Sequence, residues 1–264
     1  GGTAGRTTLN GEGLQHEDGH SHVLFSVVPN VRAYDPTFGY EVAVIIQEGL
    51  RRMVAEQEDI FYYITLMNEN YLHPPMPAGA EEGILRGMYL LREGPERSKK
   101  PRVQLLGSGT ILREVVAAAD LLADEWGVIA DVWSVTSFTE LRRDGIEVER
   151  WNMLHPTQKP RRSFVHARLA DRHGPVIAST DYIRAFADQI RQWVPGDYRA
   201  LGTDGFGRSD RRRALRRFFE VDRHFVTVAA LKSLADAGDL ESERVQEAIE
   251  RYEIDPDAPM PTTV

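Results

Sequence analysis

Val103-Gln104-Leu105-Leu106-Gly107-Ser108-Gly109-Thr110 is a short apolar run that breaks at a pair of glycines, and the residues after it, Ile111, Val115, Ala118, Leu122 and Trp126, fall on one helical face. A second apolar run, Ile129 to Val135, follows at once. Strand, glycine turn, amphipathic helix and strand in that order predict an α/β arrangement. The glycines invite a phosphate-loop reading. A dinucleotide fingerprint, however, needs a third glycine where Leu112 stands, and a nucleotide loop needs Gly-Lys-Thr. A tight strand-to-helix turn is the simpler account.

The same alternation extends in both directions. Downstream, Pro175 to Ser179 reads as a strand, Thr180 as the cap of a helix that turns Ile183, Phe186, Ile190 and Trp193 inward, and Tyr198 to Leu201 as a last strand. Helices at about 210–219, 223–236 (stopped by Gly238) and 241–252 close the chain. Between Val135 and Lys159 the pattern is irregular, and Arg92 to Arg102 is a charged, solvated loop. Upstream, Gly87 to Leu91 is a strand. Pro74, Pro75, Pro77 and Gly79 form a stiff connector that divides the chain into residues 1–80 and 81–264. Before the connector, Val23 to Val28 predicts a buried strand. Asp35-Pro36 opens a helix faced by Val42, Ile45, Ile46, Gly49, Leu50 and Met53, and Ile60 to Leu66 predicts a second strand. Strand, helix, strand in this order, with an apolar run at each strand, predicts a parallel βαβ unit covered on both faces, so the fold class is α/β in both parts.

Composition narrows the functions. With 264 residues, 42% of them hydrophobic, the chain buries a substantial core in one large or two moderate domains. No apolar run is long enough to span a bilayer, and no charged-then-apolar leader is present, which predicts a cytoplasmic protein with no membrane partner. Zero cysteines exclude disulfides, thiolate metal sites and cysteine nucleophiles. A net charge of −8 argues against nucleic acid as a partner. The opening Gly1-Gly2-Thr3-Ala4-Gly5 lacks Met and lies in a polar segment, as though cut from something longer.

Chemistry concentrates in one place. Three of the eight histidines, His16, His20 and His22, fall within seven residues, interleaved with Glu12, Glu17 and Asp18. Glycines at 11, 13 and 19 put them on a loop. A solvated polar loop, a metal site built from His20 and His22 or Glu12 and His16, and a proton-transfer or substrate-orienting site all remain open. For proton transfer, an imidazole near its neutral point donates or accepts as required, and Glu12 is spaced to hold the His16 tautomer. No nucleophile elbow accompanies the histidines. The other histidines, His73, His155, His166, His173 and His224, are isolated and read as structural. Arg211, Arg212, Arg213, Arg216 and Arg217 form a basic run in an acidic chain. Such a run is usually a solvated helix face, but arginines in a first turn oppose the helix dipole, so acids across a subunit interface or on a partner are a candidate counterpart.

The stretch from Gly1 to His22 closely resembles the bacterial homodimeric pyruvate dehydrogenases, the decarboxylating first component of the pyruvate dehydrogenase complex and members of the transketolase-like superfamily. The resemblance continues through Tyr34-Asp35-Pro36, Asn68-Glu69-Asn70-Tyr71, Leu106-Gly107-Ser108-Gly109, Ser134 to Leu141, Arg150 to Pro156 and Leu201 to Asp210. It implies the end of a thiamine pyrimidine-binding domain followed by a transketolase-like carboxy-terminal domain. It also implies a homodimer that uses thiamine diphosphate and Mg2+ to decarboxylate pyruvate and acetylate lipoyl groups of dihydrolipoamide acetyltransferase. In this resemblance His16 matches the family's active-site histidine and Glu12 its nearby acid, while Asp18 and His22 fall on the Asp-Gly-x-x-His pattern of the transketolase substrate channel. The family's cofactor-activating Glu and its Gly-Asp-Gly metal motif have no counterpart here, so the resemblance implies that these residues alone bind cofactor poorly and turn over nothing. Two alternatives stay open: a non-catalytic dimerisation or docking module using Arg211 to Arg217, and another enzyme of the same superfamily.

Overall fold

A computed structural model describes residues 4–95 and 99–264. The first three residues of the glycine-rich opening and the middle of the charged 92–102 stretch lie outside it. The main body is a five-stranded sheet in the order β3-β5-β4-β6-β7, formed by β3 (Met88–Arg92), β4 (Arg102–Gly107), β5 (Ile129–Val135), β6 (Val176–Ser179) and β7 (Tyr198–Leu201). Four strands run parallel, and β3 pairs antiparallel on the β5 edge. The opening stretch thus supplies the central strand. On it, Val103 and Leu105 face one core, with α4 (Leu112–Glu125), α9 (Arg223–Asp236) and α10 (Ser242–Arg251) behind them. Leu106 faces the other, with α5 (Phe138–Leu154), α6 (Phe164–Leu169) and α7 (Arg184–Asp188). This alternation with period two, apolar on both sides, is what a parallel sheet between two helical layers demands.

The glycine pair is a turn for packing reasons. Gly109 has φ +50°, and a Cβ there would lie 2.5 Å from Asp35 Oδ2. The turn therefore has no room for a side chain, because the loop after β1 (Val31–Tyr34) packs directly on it.

Before the connector stands a smaller βαβ unit. Strands β1 and β2 (Phe61–Ile64) pair in parallel, joined by α2 (Gly39–Leu50), whose last turn widens into a π-helix over Arg51–Ala55. The Glu41 carboxylate caps α2, accepting the Thr37 N–H and, at 2.9 Å, the Phe38 N–H. The same carboxylate accepts Tyr89 Oη at 2.7 Å and Ser134 Oγ at 2.6 Å, keying α2 to β3 and β5. Only one face of this unit is covered, not both as its apolar runs predict: Ile45 is buried, whereas Ile46, Leu50, Val54 and Phe61 are exposed. Among the described residues no helix is long and apolar enough to cross a membrane.

Four expectations fail locally. Val23 to Val28 is not a strand: α1 (Ser21–Phe25) occupies its start, with Leu24 and Val27 exposed, and the strand comes later at Val31–Tyr34. Asp18 Oδ1 accepts the Ser21 N–H at 3.0 Å, which starts a helix where β-branched composition suggests a strand. The irregular region instead contains the longest helix of the described residues, α5, started by Ser137 Oγ accepting the Glu140 N–H at 3.0 Å. A third helix unseen in the sequence, α3 (Glu81–Arg86), ends at Gly87 just before β3. Thr180 does not cap a helix; its hydroxyl pairs with Ser108 Oγ at 3.0 Å, α7 begins only at Arg184, and a separate 3-10 turn carries Trp193.

Gly109→Ala is expected to destabilise the protein by about 1–3 kcal/mol, through a left-handed backbone and the Asp35 clash. Urea unfolding monitored by circular dichroism measures this, and an unchanged midpoint would refute the packing account of the turn.

Candidate functional site

The carboxyl ends of parallel strands from both sheets converge on a polar seam, the usual place for a site in an α/β fold. Asp35 follows β1, Thr65 follows β2, Ser108 follows β4, Thr180 and Asp181 follow β6, and Thr203 follows β7; all are buried. Thr65 Oγ1 lies 2.7 Å from Asp35 Oδ1 and 3.1 Å from His22 Nε2. With Asp35 ionised, the single Thr65 proton goes to the carboxylate, so His22 Nε2 carries its own proton and donates it to Thr65. His22 is fully buried, stacked on Phe186 at 4.6 Å and edge-on to Tyr182 at 4.6 Å. Burial holds its imidazole down at about 3, so it is neutral at physiological pH.

The rest of the seam anchors the histidine loop. Asp181 accepts both the N–H (3.1 Å) and the hydroxyl (2.5 Å) of Thr7. Arg6, buried, donates to the Gly205 carbonyl. Glu17 Oε2 accepts the Arg208 N–H at 3.0 Å, and Gly11 N–H donates to the Asp210 carbonyl at 3.0 Å. Gly207 lies so close that a Cβ there would stand 2.9 Å from the Leu14 carbonyl oxygen and 3.0 Å from Glu17 Cβ. The segment 205–210 therefore clasps the loop from outside. Burial pushes the carboxyls of Glu17 and Asp35 up to about 7, and that of Asp181 to about 6, against the hydrogen bonds that favour their charged forms.

The four candidate residues end up in different places. His16 closes a 3-10 turn, Leu14–His16, and is exposed, with no side-chain partner among the described residues. Glu12 is also exposed and makes no hydrogen bond to His16, so the proposed hold on the imidazole tautomer is not formed. Asp18 serves the amino end of α1, and His22 belongs to the interior. Among the described residues no three His, Asp or Glu side chains are grouped to hold a metal ion. His73 Nδ1 accepts the Gly39 N–H at 2.8 Å, and His155 stacks on Trp151 at 4.4 Å, both structural uses.

Three of the five arginines of the run, Arg212, Arg216 and Arg217 of α8 (Arg212–Phe218), find their partners within the chain. Arg216 is buried; it reaches Glu69 at 2.5 Å, Thr110 at 2.8 Å, Thr7 at 3.3 Å and Glu114 at 3.4 Å. Arg212 donates to the Thr8 carbonyl at 2.8 Å, and Arg217 to that of Tyr252 at 2.9 Å. Burial pushes the Glu69 carboxyl up, but its bonds to Arg216 and Arg113 overcome that and leave it at about 2. The acids that hold Arg212 and Arg216 come from β2's exit and α4, and Arg217 pairs with Asp222, so no partner chain is needed for these three. The sequence marks Asp35 only as the opening of a helix and does not mark Asp181 at all; Asp181 stands just past an apolar run, whereas Asp35 follows the mixed Val31-Arg32-Ala33-Tyr34, which carries no such signal.

Parallel strands feeding polar groups to one edge, with helices on both faces, define the class. Residues 87–222 match the transketolase-like TK C-terminal domain and residues 1–74 the pyruvate dehydrogenase E1 component middle domain, and the chain belongs to the transketolase-like family. Its similarity to individual proteins is more specific. It is 65% identical over 264 residues to the pyruvate dehydrogenase E1 component of Cupriavidus necator, covering all of this chain and 30% of that protein. With that of Pseudomonas aeruginosa it shares 67% identity over 258 residues, covering 97% and 29%; with that of Escherichia coli K12, 58% over 259 residues, also 97% and 29%. The chain thus spans less than a third of the length of these relatives. In fold it is similar to transketolase from Pichia stipitis (TM-score 0.62, 18% identity, covering 90% of this chain and 30% of that one). It is likewise similar to an inactive β4 tetramer of a split-gene transketolase (TM-score 0.56, 16% identity, covering 88% and 64%).

Asp35 yields a pH prediction with a definite sign. Because its folded value, about 7, lies above its ordinary one, its contribution to stability is complete at low pH and is lost as pH rises through 7. Asp35→Asn removes that loss, so the difference in melting temperature between variant and wild type should shift in favour of the variant between pH 5 and pH 8, flanking that value. A difference that does not change with pH would show that Asp35 does not titrate there.

Proposed function

We propose that this chain is part of a thiamine-diphosphate-dependent pyruvate dehydrogenase that decarboxylates pyruvate and transfers the acetyl group to lipoyl groups of dihydrolipoamide acetyltransferase. One observation carries this reading: an exposed imidazole, His16, stands on a loop clasped by Glu17 and Gly207 at the edge where the strand ends converge, in a chain so similar to pyruvate dehydrogenase E1 components. The residues present fit one wall of such a site. Groups that hold a diphosphate and its Mg2+ belong, in this reading, to other parts of the parent protein. Residues 1–80 are then the end of the pyrimidine-binding domain and 81–264 the carboxy-terminal domain, in a cytoplasmic homodimer. On its own the chain is inactive.

Bound thiamine diphosphate supplies the carbanion that cleaves a 2-oxo acid. The chain's own residues do the rest of what is proposed here. His16, without an internal partner, is free to hydrogen-bond the pyruvate carboxylate or to exchange a proton as the acetyl group meets the lipoyl disulfide. Glu12, on the same turn of loop, sets the local charge. Asp18 and His22 act as positioning residues, the first by starting α1 and the second through the contact from Thr65 to Asp35.

His16→Ala in the full-length protein should lower acetyl transfer to a lipoyl domain by about 10²–10⁴-fold, the usual range for losing an acid–base group, with the melting temperature unchanged because the side chain is exposed. Unaltered turnover would remove the role from His16. Assays with pyruvate against longer 2-oxo acids would separate this enzyme from others of the superfamily.

A further inference from the structure

Arg113, Arg211, Arg212, Arg213, Arg216 and Arg223 line one open cavity of about 690 Å³. Three acids, Glu69, Glu114 and Asp222, share its walls, and His224, held below its ordinary range by burial, adds no charge near neutral pH. Six guanidinium groups against three carboxylates leave a local surplus of three positive charges in a chain whose formal net charge is −8. The acids are already engaged: Glu69 by Arg113 at 2.7 Å and Arg216 at 2.5 Å, Glu114 by Arg216 at 3.4 Å and Arg223 at 2.9 Å. Arg211 and Arg213 are exposed and form no side-chain ion pair among the described residues. Like charges held this close repel one another, and the repulsion is relieved most by a compact counter-ion of several charges.

We propose that this cavity binds a small multivalent anion carrying two or more phosphate groups. Guanidinium forks match phosphate oxygens in pairs, and a single carboxylate would neutralise only a third of the surplus. A nucleic acid is disfavoured by the net negative charge of the whole chain. Asn10 lines the same cavity, and Arg212 donates to the Thr8 carbonyl, so an occupant sits at the root of the histidine loop. The inference stands on its own residues and does not depend on the thiamine reading.

The test is calorimetric titration of the full-length protein with inorganic tripolyphosphate, comparing wild type with the double variant Arg211→Ser/Arg213→Ser. Both positions are exposed, and circular dichroism checks that the variant folds. Expected is a site in the wild type that the double variant weakens at least tenfold, roughly what losing one charge-assisted contact gives, and that added KCl weakens further. A cofactor diphosphate pocket elsewhere would appear as a second site that the substitutions leave alone, so failure of the two readings is distinguishable. No binding at millimolar tripolyphosphate, or binding of equal strength in both proteins, would overturn the proposal.

Discussion

A buried guanidinium is costly to leave without acceptors, because it cannot shed its proton. Arg216 meets that constraint by drawing four separate segments to itself: Thr7 from the leading arm, Glu69 from the exit of β2, Thr110 from the turn after β4 and Glu114 from α4. Both acids are shared, Glu69 with Arg113 and Glu114 with Arg223. Lysine would not serve, since one ammonium cannot present donors along several edges at once. The consequence reaches the site, because Thr7 also delivers two hydrogen bonds to Asp181, and the arm it belongs to runs directly into the histidine loop.

The leading βαβ unit is attached to the large sheet by polar contacts as much as by apolar ones. Tyr34, Ile45, Ala80, Ile84 and Tyr89 form a small shared core. Around it, Glu41 receives Ser134 and Tyr89, Ser137 Oγ donates to the Ala33 carbonyl at 2.6 Å, and Thr37 Oγ1 to that of Gly109 at 2.7 Å. Hydrogen bonds of this kind add modest net stability but penalise any other registration heavily, because sliding the units would leave buried donors and acceptors unpaired. A seam of this composition fixes where one set of strand ends stands relative to the other.

What was legible in the sequence follows from how local each signal is. β4, β5 and β6 are short, largely buried and mostly apolar runs, so their composition marks them. β1 is only Val-Arg-Ala-Tyr, and it is a strand because β2 offers it a parallel partner, a fact no window of four residues contains. α5 has a mostly polar surface that blurs its period, yet Ser137 and Glu140 stand at capping-box spacing, and reading that pair would have recovered it. The arginine run is harder. Nothing in Arg-Arg-Arg-Ala-Leu-Arg-Arg distinguishes Arg216, buried, from Arg213, exposed, since the difference lies in Glu69 and Glu114, each more than a hundred positions away in the chain.

The histidine loop shows the same separation on a smaller scale. His16 and His22 are six residues apart and chemically identical, but one lies outside the clasp formed by Glu17, Gly207 and Arg208 and the other inside the aromatic cluster of Phe186 and Tyr182. Desolvation keeps His22 neutral, with Thr65 as its hydrogen-bond partner, so it cannot take up a proton from an arriving acid without first losing its packing. The solvent-facing imidazole keeps both nitrogens available, while its backbone is held by neighbours that are themselves tied to the 205–210 segment. Such a division, a locked residue that builds the frame and a free one presented by it, is what a site requires if a side chain is to reach a ligand without the loop having to order itself each time.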